Sequence, residues 1–356
     1  MSEPQVDTEG HAKNIDLVFE GGGLKGIALA GAYSVLEERG YRPQNMAGAS
    51  AGAIVAALVA AGYTAAELRE SIIKFDFNGL KDRAWEDLLP LFSRTVSILK
   101  DRGIYEGEAF LEWMTRLLEA KGVRTFGDLV RRPEAELRYR YKLQVIASDL
   151  TEQRLLVLPK DAHRLGIADP DELNVALTVR MSMSIPVFFE PVSFTNLETD
   201  RKHLIVDGGM LSNFPVWLFD AEEPLWPTIG LKFIEEDPRA PLATLGSHGG
   251  LFKVVDYARS LVETMMEAHD RFYMEETDFD RTIAIDALGV GTTEFDLPRE
   301  RAMELYYSGR AAAEEFLAIN GRRPQHGYVA APHRNTASRK WRTTQASVGS
   351  RSHSGR

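Results

Sequence analysis

The stretch "IDLVFEGGGLKGIALAGAYSVLEERG", residues 15–40, joins a short apolar run to a helical pattern through a glycine-rich turn. Residues 15–19 read as a buried strand. Residues 27–39 read as a helix with Leu29, Ala32, Tyr33 and Leu36 at helical spacing, closed by Gly40 as a C-cap. Between them, Gly21, Gly22, Gly23, Leu24, Lys25 and Gly26 satisfy G-x-G-x-x-G, the form of a dinucleotide-binding turn. That reading requires an acid at the end of the second strand, about 20 residues on, to hold the ribose hydroxyls. The second strand, "QNMAGAS", ends in Ser50, and the nearby acids Glu37 and Glu38 belong to the preceding helix. A Walker loop is excluded as well, because Gly26 follows Lys25.

The second strand gives the glycine turn a different meaning. Gly48-Ala49-Ser50-Ala51-Gly52 is G-x-S-x-G between a strand and an Ala-rich helix over about 51–61. A nucleophile elbow needs that context: the serine sits on a strained turn, and tiny neighbours such as Gly48 and Gly52 let strand and helix approach. A plain tight turn in a Gly/Ala-rich segment is the competing reading. Both loops follow carboxyl ends of adjacent strands, so both helix N-termini face one crevice. One loop supplies a hydroxyl and the other unhindered backbone N–H groups, which together make a nucleophile beside an oxyanion hole.

A base completes the chemistry. Asp207 ends the strand "HLIV" and is followed by Gly208 and Gly209, a third strand-end turn facing the same crevice. Partial burial would raise its basicity enough to accept the serine proton. Of the eight histidines, His11, His333 and His353 fall in terminal segments, and His163, His203, His248, His269 and His326 read as surface residues.

Composition narrows the field. The chain has 356 residues, 44% of them hydrophobic, a net charge of −10 and no cysteine. Thiol nucleophiles, disulfides and zinc–thiolate sites are therefore excluded, and the overall field does not suit nucleic acid. The polar, acidic start is no signal peptide. The uncharged stretch 43–66 is long enough for a membrane span, but its Gly, Ala and Ser content reads as a buried strand–helix unit. A cytoplasmic protein with transient contact at membrane surfaces is expected. Thr64 and Glu67 form a capping box for the next helix, and residues 67–130 read as a mainly helical insertion. Within it, the apolar segment Trp85–Leu99 is either a lipid-facing cap or ordinary core. Strands are expected at 141–147, 154–158 and 203–207 and within "PTIGLKFI" and "RTIAIDA", with helices over 171–183, 250–275 and 298–319. The body spans 15–330, after a flexible segment 1–14. The tail 331–356 carries Arg334, Arg339, Lys340, Arg342, Arg351 and Arg356 without an acid, and disorder is expected there. The acids Glu275, Glu276, Asp278 and Asp280 read as a solvated turn.

Taken together, the residues resemble the patatin-like phospholipases. The likeness rests on the glycine turn 21–26, the pentapeptide 48–52, "RMSMSIPVFFEPV" at 180–192 and "DGGMLSNFPV" at 207–216, in matching order over residues 15 to about 235. The resemblance implies a three-layer α/β fold, with a mixed, mostly parallel sheet between helices. It also implies a Ser50–Asp207 dyad without histidine, an acyl-enzyme, an acyl-ester lipid substrate such as a phospholipid, and no cofactor or metal. Lys25 stands where the family places a basic residue, to fix the loop or favour a phosphate headgroup; a solvated lysine is the alternative. Asp149 matches a further family position and reads as structural. Two rival readings are an α/β-hydrolase esterase, with His248 or His269 completing a triad, and a non-catalytic lipid-binding protein on the same fold.

Overall fold

The computed structural model describes residues 13–75, 104–131, 137–186, 188–196, 199–234, 264–265, 276–292, 294 and 297–320. Eight strands form one mixed sheet: β1 (Lys13–Phe19), β2 (Tyr41–Ala49), β3 (Leu143–Asp149), β4 (Arg154–Leu158), β5 (Val192–Asn196), β6 (Arg201–Asp207), β7 (Thr228–Ile234) and β8 (Thr282–Asp286). The order is β5-β6-β3-β2-β1-β7-β8, with β4 also paired to β3. The run β3-β2-β1-β7-β8 is parallel throughout, whereas β4, β5 and β6 run antiparallel to their neighbours.

The helices are α1 (Gly26–Glu38), α2 (Ala51–Ala60), α3 (Ala65–Lys74), α4 (Ile104–Ala120), α5 (Leu137–Arg140), α6 (Val175–Ser182), α7 (Glu276–Phe279) and α8 (Arg299–Asn320). Strand alternation sorts the core onto two faces. Leu17, Phe19, Met46, Val145 and Leu231 join α1, α2, α6 and α8 in one cluster. Val18, Ala47, Ala49 and Ile146 point the other way, against Tyr139, Phe214, Val216 and Phe219. The segment 43–66 is strand, turn and buried helix as expected, and no described helix is long and apolar enough to cross a membrane.

Several expectations are refined. β2 begins at Tyr41 rather than Gln44, and β5 had no sequence signal strong enough to be read. The helix expected from 171 splits into a short 3-10 turn at 170–172 and α6, because Asn174 caps α6 by accepting from Leu177 N at 2.8 Å. The Thr64–Glu67 capping box forms as read. Of the acidic cluster, Glu275 lies outside the described residues. Asp278 is not solvated: it is buried against Arg281, which also bonds Asp220. Trp85–Leu99, residues 250–263 and the tail 331–356 also lie outside the described residues.

Candidate active site

β3 brings the site together. One edge of this strand pairs with β4 along Val145–Asp149, so its two other partners must share the opposite edge. β2 occupies that edge as far as Ala49, opposite Ile146, and β6 takes over one residue later with Asp207 opposite Ala147. The chain end of β2 and the chain end of β6 therefore meet head to head, and Ser50 and Asp207 are the residues at that junction.

Ser50 is buried and adopts φ 51°, ψ −127° at the cap of α2. A non-glycine residue held there stores on the order of 1–3 kcal/mol of backbone strain. The strand–helix approach that imposes it requires small neighbours. A Cβ on Gly52 would stand 2.2 Å from the Phe19 carbonyl oxygen, and one on Gly48 would stand 2.4 Å from the Gly52 carbonyl carbon.

Asp207 is completely enclosed. Its Oδ1 accepts from Gly209 N at 2.7 Å, and the Gly208 turn packs on Ile146, whose carbonyl oxygen would lie 2.2 Å from any Cβ at 208. Burial pushes the Asp207 pKa up to about 7, while the Ser50 hydroxyl and the Gly209 N–H hold the rise down. Oδ2 nevertheless has no hydrogen bond of full geometry. A hydroxyl close to the carboxyl but out of alignment accounts for both facts. Such loose contacts are common in unliganded sites and tighten with substrate.

The glycine turn lies alongside. Gly21 is fixed from both sides by Asn213: its N–H donates to the Asn213 carbonyl oxygen at 3.0 Å, and its own carbonyl accepts from Asn213 Nδ2 at 3.1 Å. Its missing Cβ would stand 3.0 Å from the Ser50 Cβ, so the glycine turn and Ser50 are in contact. Gly23 takes φ +58°, and a 3-10 turn over Gly23–Lys25 leads into α1. Among the described residues, no acceptor takes the N–H groups of Gly22, Gly23 or Leu24. Lys25 is buried, with Nζ 5.1 Å from the Phe233 ring centre, and so is not the solvated alternative. Leu24 joins Ile185, Phe188, Phe189, Met210 and Leu297 in a small apolar cluster beside the turn.

The histidines are arranged differently from expectation. His203 is not a surface residue. It is buried, and its Nδ1 lies 2.7 Å from Asp149 Oδ2. Asp149 is thus a structural partner, its other oxygen accepting from Thr151 N at 2.9 Å. His203 stands four residues along β6 from Asp207, about 13 Å of strand, and its ring is engaged with Asp149. His163 is exposed. His248 and His269, the triad candidates, lie outside the described residues.

Sequence reasoning gave no role to two residues that shape the site, Asn213 and Ser182. Both lie inside quoted motif blocks, which was the available signal. Ser182 Oγ accepts from Ser50 N at 2.9 Å and donates to the Ile146 carbonyl oxygen at 2.6 Å.

Comparison with known proteins agrees with the motifs. A family model described as patatin-like phospholipase matches residues 17–220. The uncharacterized protein YqhO of Bacillus subtilis is 41% identical over 304 residues, covering 85% of this chain and 98% of its own. A probable lipid hydrolase, 463L of invertebrate iridescent virus 6, is 25% identical over 203 residues, 56% of this chain and 61% of its own. Among solved structures, VipD from Legionella pneumophila aligns over 89% of this chain and 70% of its own, at 17% identity and a TM-score of 0.47.

Proposed function

The chain belongs to the patatin-like phospholipase family, and from that premise we propose that it is a lipid acyl hydrolase of phospholipase A or lysophospholipase type, acting through Ser50 and Asp207. The observation that carries this reading is a strained serine beside a fully buried carboxyl whose pKa is raised to about 7.

A carboxylate of ordinary acidity is a poor proton acceptor, whereas one with a pKa near neutrality can take the serine proton as the hydroxyl attacks. Attack on the acyl carbonyl forms a tetrahedral oxyanion, which in this reading is received by the N–H groups of Gly22, Gly23 and Leu24. Each such donor is typically worth ~3 kcal/mol in the transition state. Asp207 returns the proton to the leaving alcohol and then draws one from water, which cleaves the acyl-enzyme and restores Ser50. The apolar group Leu24, Ile185, Phe189 and Met210 offers the acyl chain a wall next to the oxyanion turn.

The test combines a fluorophosphonate probe with a phospholipid panel whose released products are identified by mass spectrometry. Wild type should label and release fatty acid. Ser50→Ala should do neither while keeping its unfolding midpoint. Hydrolysis of a short acyl ester by Ser50→Ala at near-wild-type rate would remove the nucleophile assignment.

A further inference from the structure

We infer that Ser182 is the positioning residue of the site, and that the segment 182–184 clips nucleophile and base to one another. The inference rests on the dyad reading above and adds to it the part that sets the spacing.

Ser50 and Asp207 stand at the ends of two different strands, which β3 sets in line at Ile146 and Ala147 through separate ladders. The end of α6 adds a second tie between them. Ser182, wholly buried, takes the Ser50 N–H and gives its own hydrogen to the Ile146 carbonyl, tying the strained turn to β3. Two residues on, the Ser184 carbonyl oxygen accepts from Asp207 N at 2.9 Å. One short stretch of backbone thus holds both members.

The clip is itself anchored. Ser184 Oγ donates to the Arg180 carbonyl oxygen at 2.8 Å and accepts from the Arg180 guanidinium. Arg180 reaches across to the Glu190 carbonyl at 3.2 Å. Its guanidinium fills space that Gly107 of α4 leaves open, where a Cβ would stand 2.6 Å away. The alternation Ser182-Met183-Ser184 gives the block its form: serines 182 and 184 face the site and its anchor, and Met183 is buried elsewhere in the core. A hydroxyl at 182 is needed because only a group that both accepts and donates can join the Ser50 N–H to the Ile146 carbonyl.

Ser182→Ala removes that bridge, and with it the hold on the Ser50 turn, while leaving the Ser50 and Asp207 side chains themselves unaltered. Displacements of this kind are costly, so kcat on a soluble short-chain ester should fall roughly ten- to a hundredfold with KM within about twofold. The pH profile provides a readout that general loosening would move the other way, because water admitted to the buried Asp207 lowers its pKa. The influences on Asp207 are its burial, the Ser50 hydroxyl and the Gly209 N–H, none of them a charged group. Once Ser50 drifts from the carboxyl, a contact that lowers its pKa is lost, so the rising limb of kcat/KM should shift to higher pH than in wild type.

Ser182→Cys, which keeps the size with a weaker hydrogen bond, should fall between the two in both measurements, and it serves if the alanine variant does not fold. Ser50→Ala is run in parallel. If that variant is dead but a folded Ser182→Ala or Ser182→Cys keeps wild-type kcat and pH midpoint, the positioning role is overturned and the dyad stands. If Ser50→Ala stays active, the dyad reading itself fails.

Discussion

Asp207 is asked to be buried and to ionise, and the two demands oppose each other. Its folded pKa, about 7, lies well above the ordinary aspartate value near 4. The folded protein therefore holds this proton more tightly than the unfolded chain does. The resulting contribution to stability is complete below about pH 4 and is lost as pH rises through about 7. Above that, the buried carboxylate costs up to about 4 kcal/mol. Asp207→Asn removes the charge and the base together. It should be inactive, yet more stable than wild type at pH 8 by as much as about 4 kcal/mol, with the gap closing toward pH 4. Urea unfolding of both proteins across that range checks the sign; a gap independent of pH would show that burial does not control the group. On the same grounds, kcat/KM of wild type on a soluble ester should rise with pH about a midpoint near 7. The placement of Ser50, Asp207 and the glycine turn at strand ends was legible because each is a turn of small residues directly after an apolar run. Ser182 and Asn213 were not, since their roles depend on partners far away in sequence (Ser50, Ile146 and Gly21) rather than on local pattern. His203 failed as a surface residue for the same reason: its buried partner, Asp149, lies 54 positions away.

Among the elements, the strand–turn–helix units around α1 and α2 were readable because apolar periodicity, caps and small residues all agree there. β5 was not, because "VSFTN" offers only two apolar side chains, Val192 and Phe194, both half-buried, too short an alternation to stand out from a loop. The handover from β2 to β6 on the edge of β3 could not be read at all. It is a property of pairing, and pairing between distant strands leaves no mark on either one alone. The contact between α1 and α8 illustrates how a residue type acquires meaning only at this level. A Cβ on Gly31 would stand 2.0 Å from the Tyr306 carbonyl oxygen, and one on Gly309 would stand 1.9 Å from the Ala28 carbonyl oxygen. The two helices cross backbone to backbone. Helix propensity alone would make Gly309→Ala stabilising by up to about 1 kcal/mol. Overpacking opposes this with roughly 1–3 kcal/mol or more, because backbone has to move rather than a side-chain tip. The variant should therefore lose stability in thermal or urea unfolding, with little change in kcat for the folded fraction, since α8, which packs beside α1 and against β8, supplies no group to the proposed site. A more stable Gly309→Ala would mean that the helices are not in contact there.

Across the whole molecule, the parts gather at one end of the sheet. The turns after β1 and β2 and the end of β6 hold the glycine turn, Ser50 and Asp207, while helices and the 214–219 segment cover the two faces. The net charge of −10 says little about this chemistry, which depends on a dry interior rather than on the outer field. In such an arrangement every charge change in the reaction has a local partner. On the proposed mechanism the serine proton goes to Asp207, the oxyanion to backbone N–H groups, and the leaving alcohol recovers the proton. No step calls for a Lewis acid to polarise the carbonyl or to activate water. Hydrolysis of a soluble short-chain ester should therefore stay within about twofold of its ordinary rate in excess chelator, and added calcium should not raise it. The soluble substrate matters, because calcium also alters anionic lipid surfaces and would change access to vesicles without touching the chemistry. Activity that vanished with chelator and returned with calcium on that ester would mean that the dyad and its donors are not the complete machinery.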